Sequence, residues 1–199
     1  MENLKLYHVI KVKKLLQKNK LKGFFKMSYI PSPDKCIELL KITGCSKEVI
    51  NHCIAVRDVA VKIANKADAN IKLVEVGSLL HDIGRSKTHG IRHAVEGVKI
   101  AKKLDLDESI IRIIECHIGA GILSKDTKEL GLPEKDYLPI SLEEKIVCHA
   151  DNLVNGNKKQ PVEKEVEKAL IKGLKEYAVR LVSLHKELSD ICGIDLNKI

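Results

Sequence analysis

Apolar residues recur at spacings of three and four along most of the chain and rarely alternate, so the pattern predicts helices joined by turns. The run "SPDKCIELLKITG" reads as one whole helix: Ser32 caps it, Pro33 takes the first helical position and Gly44 lets the chain leave. A second helix opens at Ser46 and runs to about Ala67, with Val49, Cys53, Val56, Ala60 and Ile63 on one face. Further helices are predicted from about Ile71 to Asp82 with a stop at Gly84, from Gly90 to Leu104, and from Asp107 to His117 before Gly119 and Gly121. Residues 119–140, which hold Pro133 and Pro139, read as a long loop. Ser141 and Glu144 have the spacing of a capping box for a sixth helix through about Val154. The run "NGNKKQP" reads as a turn, and Pro161 opens a final long helix over 161–192. That helix carries Leu170, Leu174, Tyr177, Leu181, Leu184, Leu188 and Ile191 as a stripe, which covers the domain's own core or, in a sharper reading, forms a homodimer seam. The expected fold class is all-α, with about six helices and a long C-terminal one.

Composition narrows the setting. A chain of 199 residues, 44% hydrophobic and 31% charged, fits one globular domain. No apolar run approaches the ~20 residues that cross a bilayer, and the start of the chain lacks the apolar block of a signal peptide. Six scattered cysteines without a C-x-x-C pair suggest neither a zinc ribbon nor a disulfide framework, which points to a reduced, cytoplasmic compartment.

The net charge of +8 is concentrated in residues 1–26, which hold eight lysines and one glutamate, so the remainder is close to neutral. Met27 sits where the composition changes. "MSYIPSPDKC" therefore reads as an original start, with 1–26 as a basic extension and 27–199 as a single domain. The functional alternative for the extension is an arm for RNA or a membrane surface, with Tyr7, Phe24 and Phe25 as its only aromatic residues.

The chemistry lies on the inward faces. At 100° per residue His52 falls beside Val56 and Ile63, His81 beside Val74 and Gly77, and His117 on the stripe of Ile110, Ile113 and Ile114. His93 and Asp151 border the apolar arcs of their own helices, and Asp82 follows His81 directly. A lone inward histidine is ordinarily a core residue bonded to a carbonyl. Two inward aspartates among four inward histidines are costly as structure alone, because an unpaired buried carboxylate costs several kcal/mol. A divalent cation removes that cost, so the core is expected to be built around a metal ion.

The order of these residues resembles the HD-domain superfamily of metal-dependent phosphohydrolases. The parts read "NHCIAVRDVA", "LLHDIGRS" and "KIVCHADNL" across residues 46–155, and "HDIGRS" followed by "THGI" is similar to an archaeal group of predicted hydrolases. The resemblance implies that His52, His81, Asp82 and Asp151 hold a metal. It further implies that His93 and His117 match second-metal positions, with Ile118 standing where a further histidine would complete that site. It supports Asp82 as a proton acceptor if one oxygen stays off the metal, and Arg85 and Lys87 as cations for a substrate phosphate; for Lys87 a solvated loop charge is the simpler reading. His89 and His149 match no ligand position and are expected at the surface or behind the ligands. The glycines of "HIGAG" read either as a close approach of backbone to substrate or as a helix stop.

The metal is expected to be Mn, Fe, Co, Ni or Zn, one or two per chain. The expected reaction is hydrolysis of a small phosphoester, such as a nucleotide monophosphate or cyclic phosphate, by metal-activated water. The alternatives are a di-iron oxygenase of the same superfamily, a non-catalytic nucleotide-binding sensor, and RNA binding through residues 1–26.

Overall fold

A computed structural model of the protein describes residues 29–199, so the expectations about residues 1–26 and Met27 lie outside the described residues. The described residues form α1 (Pro33–Thr43), α2 (Lys47–Lys66), α3 (Ile71–Leu80), α4 (His93–Lys103), α5 (Glu108–Cys116), the single turn α6 (Ser124–Thr127), α7 (Leu142–Asn152), α8 (Val162–Ile171) and α9 (Lys175–Cys192). Short 3-10 segments cover Ile83–Ser86 and Leu196–Lys198. The only regular sheet among them is a hairpin of β1 (Val154–Asn155) and β2 (Lys158–Lys159), with Val154 opposite Lys159. The fold class is all-α, as the sequence predicted.

Local chemistry sets the helix ends. The hydroxyls of Ser32, Ser46 and Ser141 accept from the backbone N–H of Lys35, Val49 and Glu144, and Asn70 caps α3 in the same way. The capping box at Ser141 is realised in altered form: Glu144 Oε2 accepts the N–H of Ile140 at 2.8 Å, one residue before the cap.

Two apolar clusters lie along α2. One gathers Val56, Ala60, Ile63, Val147, Leu181 and Leu188; the other gathers Leu40, Ile50, Leu80, Ile83, Ile110 and Ile114. Helices α2, α3 and α5 contribute to both, and these are the helices that carry or lead into His52, His81 and His117. The 3-10 segment crosses α4 so closely that a Cβ on Gly84 would collide with the His93 carbonyl. Glycine is required there, and the crossing draws Asp82 towards His93.

The C-terminal prediction needs correction. Residues 161–192 do not form one helix: Gly173 adopts φ +75°, a left-handed conformation that ends α8, and α9 begins afresh at Lys175. Leu181, Leu184 and Leu188 cover the protein's own core, whereas Leu170, Leu174 and Ile191 are exposed and Ile171 is 86% exposed. The predicted turn "NGNKKQP" is the β-hairpin, and the predicted loop 119–140 contains α6. Among the described residues no helix is long and apolar enough to cross a membrane, and all six cysteines are free.

Candidate metal centre

His52 projects from the first half of α2, His81 and Asp82 from the turn that follows α3, His93 from the first position of α4, His117 from the end of α5 and Asp151 from the last turn of α7. The fold brings these six residues to one place. His52 Nε2 lies 2.8 Å from Asp151 Oδ1 and 3.9 Å from Asp82 Oδ2. His81 Nε2 lies 3.6 Å from Asp151 Oδ1 and 3.7 Å from Asp82 Oδ2. The other oxygen of Asp82, Oδ1, lies 3.1 Å from His93 Nε2 and 3.5 Å from His117 Nε2. Asp82 therefore stands between two pairs of imidazoles, one oxygen towards each pair.

The tautomers follow from the second ring nitrogen. His52 Nδ1 contacts the Gly156 carbonyl at 2.8 Å, His81 Nδ1 that of Ser78 at 2.7 Å, His93 Nδ1 that of Gly90 at 2.8 Å, and His117 Nδ1 that of Ile114 at 2.8 Å. A carbonyl oxygen only accepts, so each Nδ1 must carry a proton, and each ring when neutral presents an Nε2 lone pair to the centre. The centre then consists of acceptors facing acceptors. His81 Nε2 and Asp82 Oδ1 are both buried without a hydrogen-bond partner. Such an arrangement is costly unless positive charge enters it.

The electrostatics agree. Burial works against ionised Asp82, yet the imidazoles of His81, His117 and His93 hold its carboxyl well below the usual carboxylate range. Asp151 is likewise lowered against its burial, by His52 and His81. Burial disfavours a charged His81, but the Asp82 carboxylate and its neighbours outweigh that and raise its proton affinity well above the ordinary imidazole value. Burial pushes His117 down, which keeps its lone pair free. The site draws in positive charge, and a donor set of imidazole nitrogens and carboxylate oxygens with all four ring orientations fixed from behind fits a divalent transition metal. Among the described residues two groups have ligand atoms close enough to hold an ion: His52, His81 and Asp151, and His81, Asp82 and His117.

A cavity of about 970 Å³ opens onto this centre, lined by His52, His93, His117 and Asp151 at the centre and by Arg85, Ile118, Ile122, Tyr177 and Arg180 among others around it. Arg85 Nε donates to Asp82 Oδ2 at 2.5 Å and Arg85 also donates to the His89 carbonyl. Lys87 is exposed and is not among the residues that line the cavity, in keeping with a solvated loop charge. His89 is exposed, whereas His149 is fully buried and bonds the ring of His185 at 2.9 Å. Neither glycine of "HIGAG" makes room for substrate alone: a Cβ on Gly119 would crowd the Tyr177 ring, and one on Gly121 would crowd Leu138.

Sequence reasoning missed Asn152. Its Nδ2 donates to the carbonyls of Gly119 at 2.6 Å and Cys148 at 2.8 Å, while its Oδ1 accepts from Tyr177 Oη at 2.9 Å. This amide ties the chain after His117 to the helix that carries Asp151. The only local signal was a polar residue at a buried register position of α7.

The fold and the centre define a helical His/Asp protein, and comparison with known proteins gives its family. The HD domain family matches residues 49–156, and the chain belongs to that family. It is 46% identical over 166 residues to an uncharacterised protein of Methanocaldococcus jannaschii, covering 79% of this chain and 97% of that one. It is 45% identical over 173 residues to a tRNA (cytidine(56)-2'-O)-methyltransferase of Picrophilus torridus, covering 87% of this chain but only 51% of the relative, so it spans about half the length of that protein. Among solved structures, the HD domain of the L. monocytogenes phosphodiesterase PgpH in complex with cyclic-di-AMP has the same fold, with a TM-score of 0.50 at 19% identity over 77% of this chain and 96% of that one.

Proposed function

We propose that this chain is a metal-dependent phosphohydrolase acting on a small phosphoester, a nucleotide monophosphate or a cyclic phosphate, within one HD domain over 27–199. The observation that carries the reading is the all-acceptor centre: four Nε2 lone pairs and two carboxylates directed at each other, each imidazole locked from behind by a carbonyl. His52, His81, Asp82 and Asp151 would hold one divalent ion in this reading, and His93 and His117 with Asp82 would hold a second. A bound divalent ion supplies Lewis-acid polarisation of a phosphoryl oxygen and a nucleophile from water whose pKa falls towards ~7.

The protein's own groups do the rest. Carboxylates Asp82 and Asp151 balance the ionic charge, and the carbonyls behind the rings keep the imidazoles neutral and aimed. Arg85, on the cavity wall, is the cation that meets a substrate phosphate, exchanging part of its bond to Asp82 for it. With both oxygens of Asp82 facing imidazoles, a proton-accepting role for Asp82 is open only while one oxygen is off the ions. A cavity of about 970 Å³ suits a small ligand. Methyl transfer, the activity named for the longer relative, requires no cluster of imidazoles and carboxylates.

The test is metal analysis of protein purified without chelators, followed by phosphate release across nucleotides and cyclic phosphates, with Asp82→Asn alongside. Metal and turnover lost together in the variant support the reading. Iron near two per chain with an oxygen-dependent reaction and no phosphate release would favour the oxygenase alternative. Tight nucleotide binding without turnover would favour the sensor.

A further inference from the structure

Two cations on the cavity wall, Lys175 and Arg180, are not used by the metal centre, and Arg180 is the one with a rigid fork of donors. Arg180 comes from α9, beyond the residues that match the HD family, and lines the cavity along with His52, His93 and His117. Its guanidinium is under-used. NH2 donates to the Gly121 carbonyl at 3.2 Å, and NH1 stands 3.9 Å from Glu176 Oε2, beyond hydrogen-bond reach. Glu176 is itself held by Lys125 at 2.8 Å. Nε is buried and has no hydrogen-bond partner.

A guanidinium has five donors in a fixed fork, and beyond the Gly121 carbonyl the terminal nitrogens of this one keep donors for a further acceptor. The Gly121 carbonyl fixes the plane of this fork at the cavity wall. An anion such as a phosphate, which offers two acceptor oxygens at once to a planar guanidinium, satisfies what the protein leaves open. Arg85 bonds Asp82 and in the proposed function meets the scissile phosphate there, which leaves Arg180 as the arginine for a second group.

We infer that Arg180 is a specificity-determining residue: it receives a second anionic group of a phosphoester whose scissile phosphate sits at the His/Asp centre. The inference rests on the phosphohydrolase reading and narrows it to substrates with two anionic groups, such as nucleoside bisphosphates or cyclic dinucleotides. Asp126, Glu129, Glu165 and Glu176 also line the cavity, so it accommodates one further anionic group beside Arg180 and not an extended polyanionic chain.

The experiment is calorimetric titration of the full chain, with and without manganese, using adenosine 5'-monophosphate against ADP, adenosine 3',5'-bisphosphate and cyclic-di-AMP. Wild-type protein is expected to bind at least one two-anion ligand about tenfold or more tightly than the monophosphate. Arg180→Gln should collapse that ratio towards one, and Arg180→Lys should restore part of it; circular dichroism and melting of each variant report folding separately. A wild-type ratio near one, or a ratio that survives in Arg180→Gln, overturns the inference. If metal-loaded protein binds with the expected ratio yet releases phosphate from nothing, the hydrolase reading fails while the Arg180 assignment stands.

Discussion

His93 Nε2 lies 2.9 Å from His117 Nε2, although each ring already directs Nδ1 at a backbone carbonyl. Neither neutral ring has a proton left for the other, so two lone pairs face each other in a buried site until a cation lies between them. Metal is therefore expected to stabilise the fold. An ion at a hundredfold excess over its dissociation constant adds about 2.7 kcal/mol, so manganese or zinc should raise the melting temperature and a chelator should reverse the gain. Asp82→Asn should lose all bound metal, whereas His93→Ala should lose one ion and keep the one at His52, His81 and Asp151. Mass spectrometric metal content of the two variants decides this; equal stoichiometry in both would rule out the two-ion arrangement.

The close crossing of the 3-10 segment over α4 yields a second expectation. Gly84→Ala places a methyl against the His93 carbonyl and the Gly97 N–H, and the backbone cannot yield as a flexible side chain would. Overpacking of this kind costs typically ~1–3 kcal/mol. The displacement falls between Asp82 and His93, so metal affinity should drop with stability. A variant that melts lower but binds metal as tightly as wild type would show that the crossing does not position Asp82.

These positions also show how far a sequence could be read. The helices around the centre were legible because caps and apolar spacing are local: Ser32, Ser46 and Ser141 sit where the chain begins to turn, and Val49 to Ile63 mark one face. His52, His81, Asp82 and Asp151 were legible as inward polar residues whose burial demands a partner. The break at Gly173 was not, because the leucine stripe keeps its spacing across a single glycine whose left-handed conformation appears only once the chain folds back. The amide of Asn152 and the fork of Arg180 act on carbonyls 33 and 59 residues away, and no local pattern encodes such pairings.

Asn152 supports a third prediction. Asn152→Ala removes one donor to the Gly119 carbonyl and one acceptor of the Tyr177 hydroxyl, while Cys148 Sγ still donates to that carbonyl and Glu165 Oε1 still accepts from that hydroxyl. Each hydrogen bond lost while its partner keeps another is worth about 0.5–1.5 kcal/mol, so a fall in stability of about 1–3 kcal/mol is expected. Because Asn152 ties the chain after His117 to α7, ligand affinity should fall as well, and Tyr177→Phe should show a smaller part of both effects. Calorimetry and thermal melting of the pair separate the two contributions; unchanged ligand binding in Asn152→Ala would confine this residue to stability.

The last prediction concerns alkaline pH and Cys36, a thiol in the second apolar cluster, remote in sequence from the metal centre. Cys36 is 0% exposed, and burial first and the nearby Glu75 carboxylate second push its pKa up to about 12. An unfolded thiol ionises near 8.5. The folded value is the raised one, so the stability this thiol contributes is fully present below about pH 8.5 and is lost as pH climbs towards the folded value. Across that window the unfolded state releases a proton that the native state keeps, which lowers stability by about 1.4 kcal/mol per pH unit for this group. Urea melts between pH 7.5 and 10.5 should therefore show a shallower alkaline decline in Cys36→Ala than in wild type, with parallel curves below pH 8. Iodoacetamide should leave Cys36 unmodified in folded protein at pH 8 and label it once urea unfolds the chain. Equal alkaline slopes in the two proteins, or rapid labelling of the folded one, would mean that Cys36 is less enclosed than its packing implies.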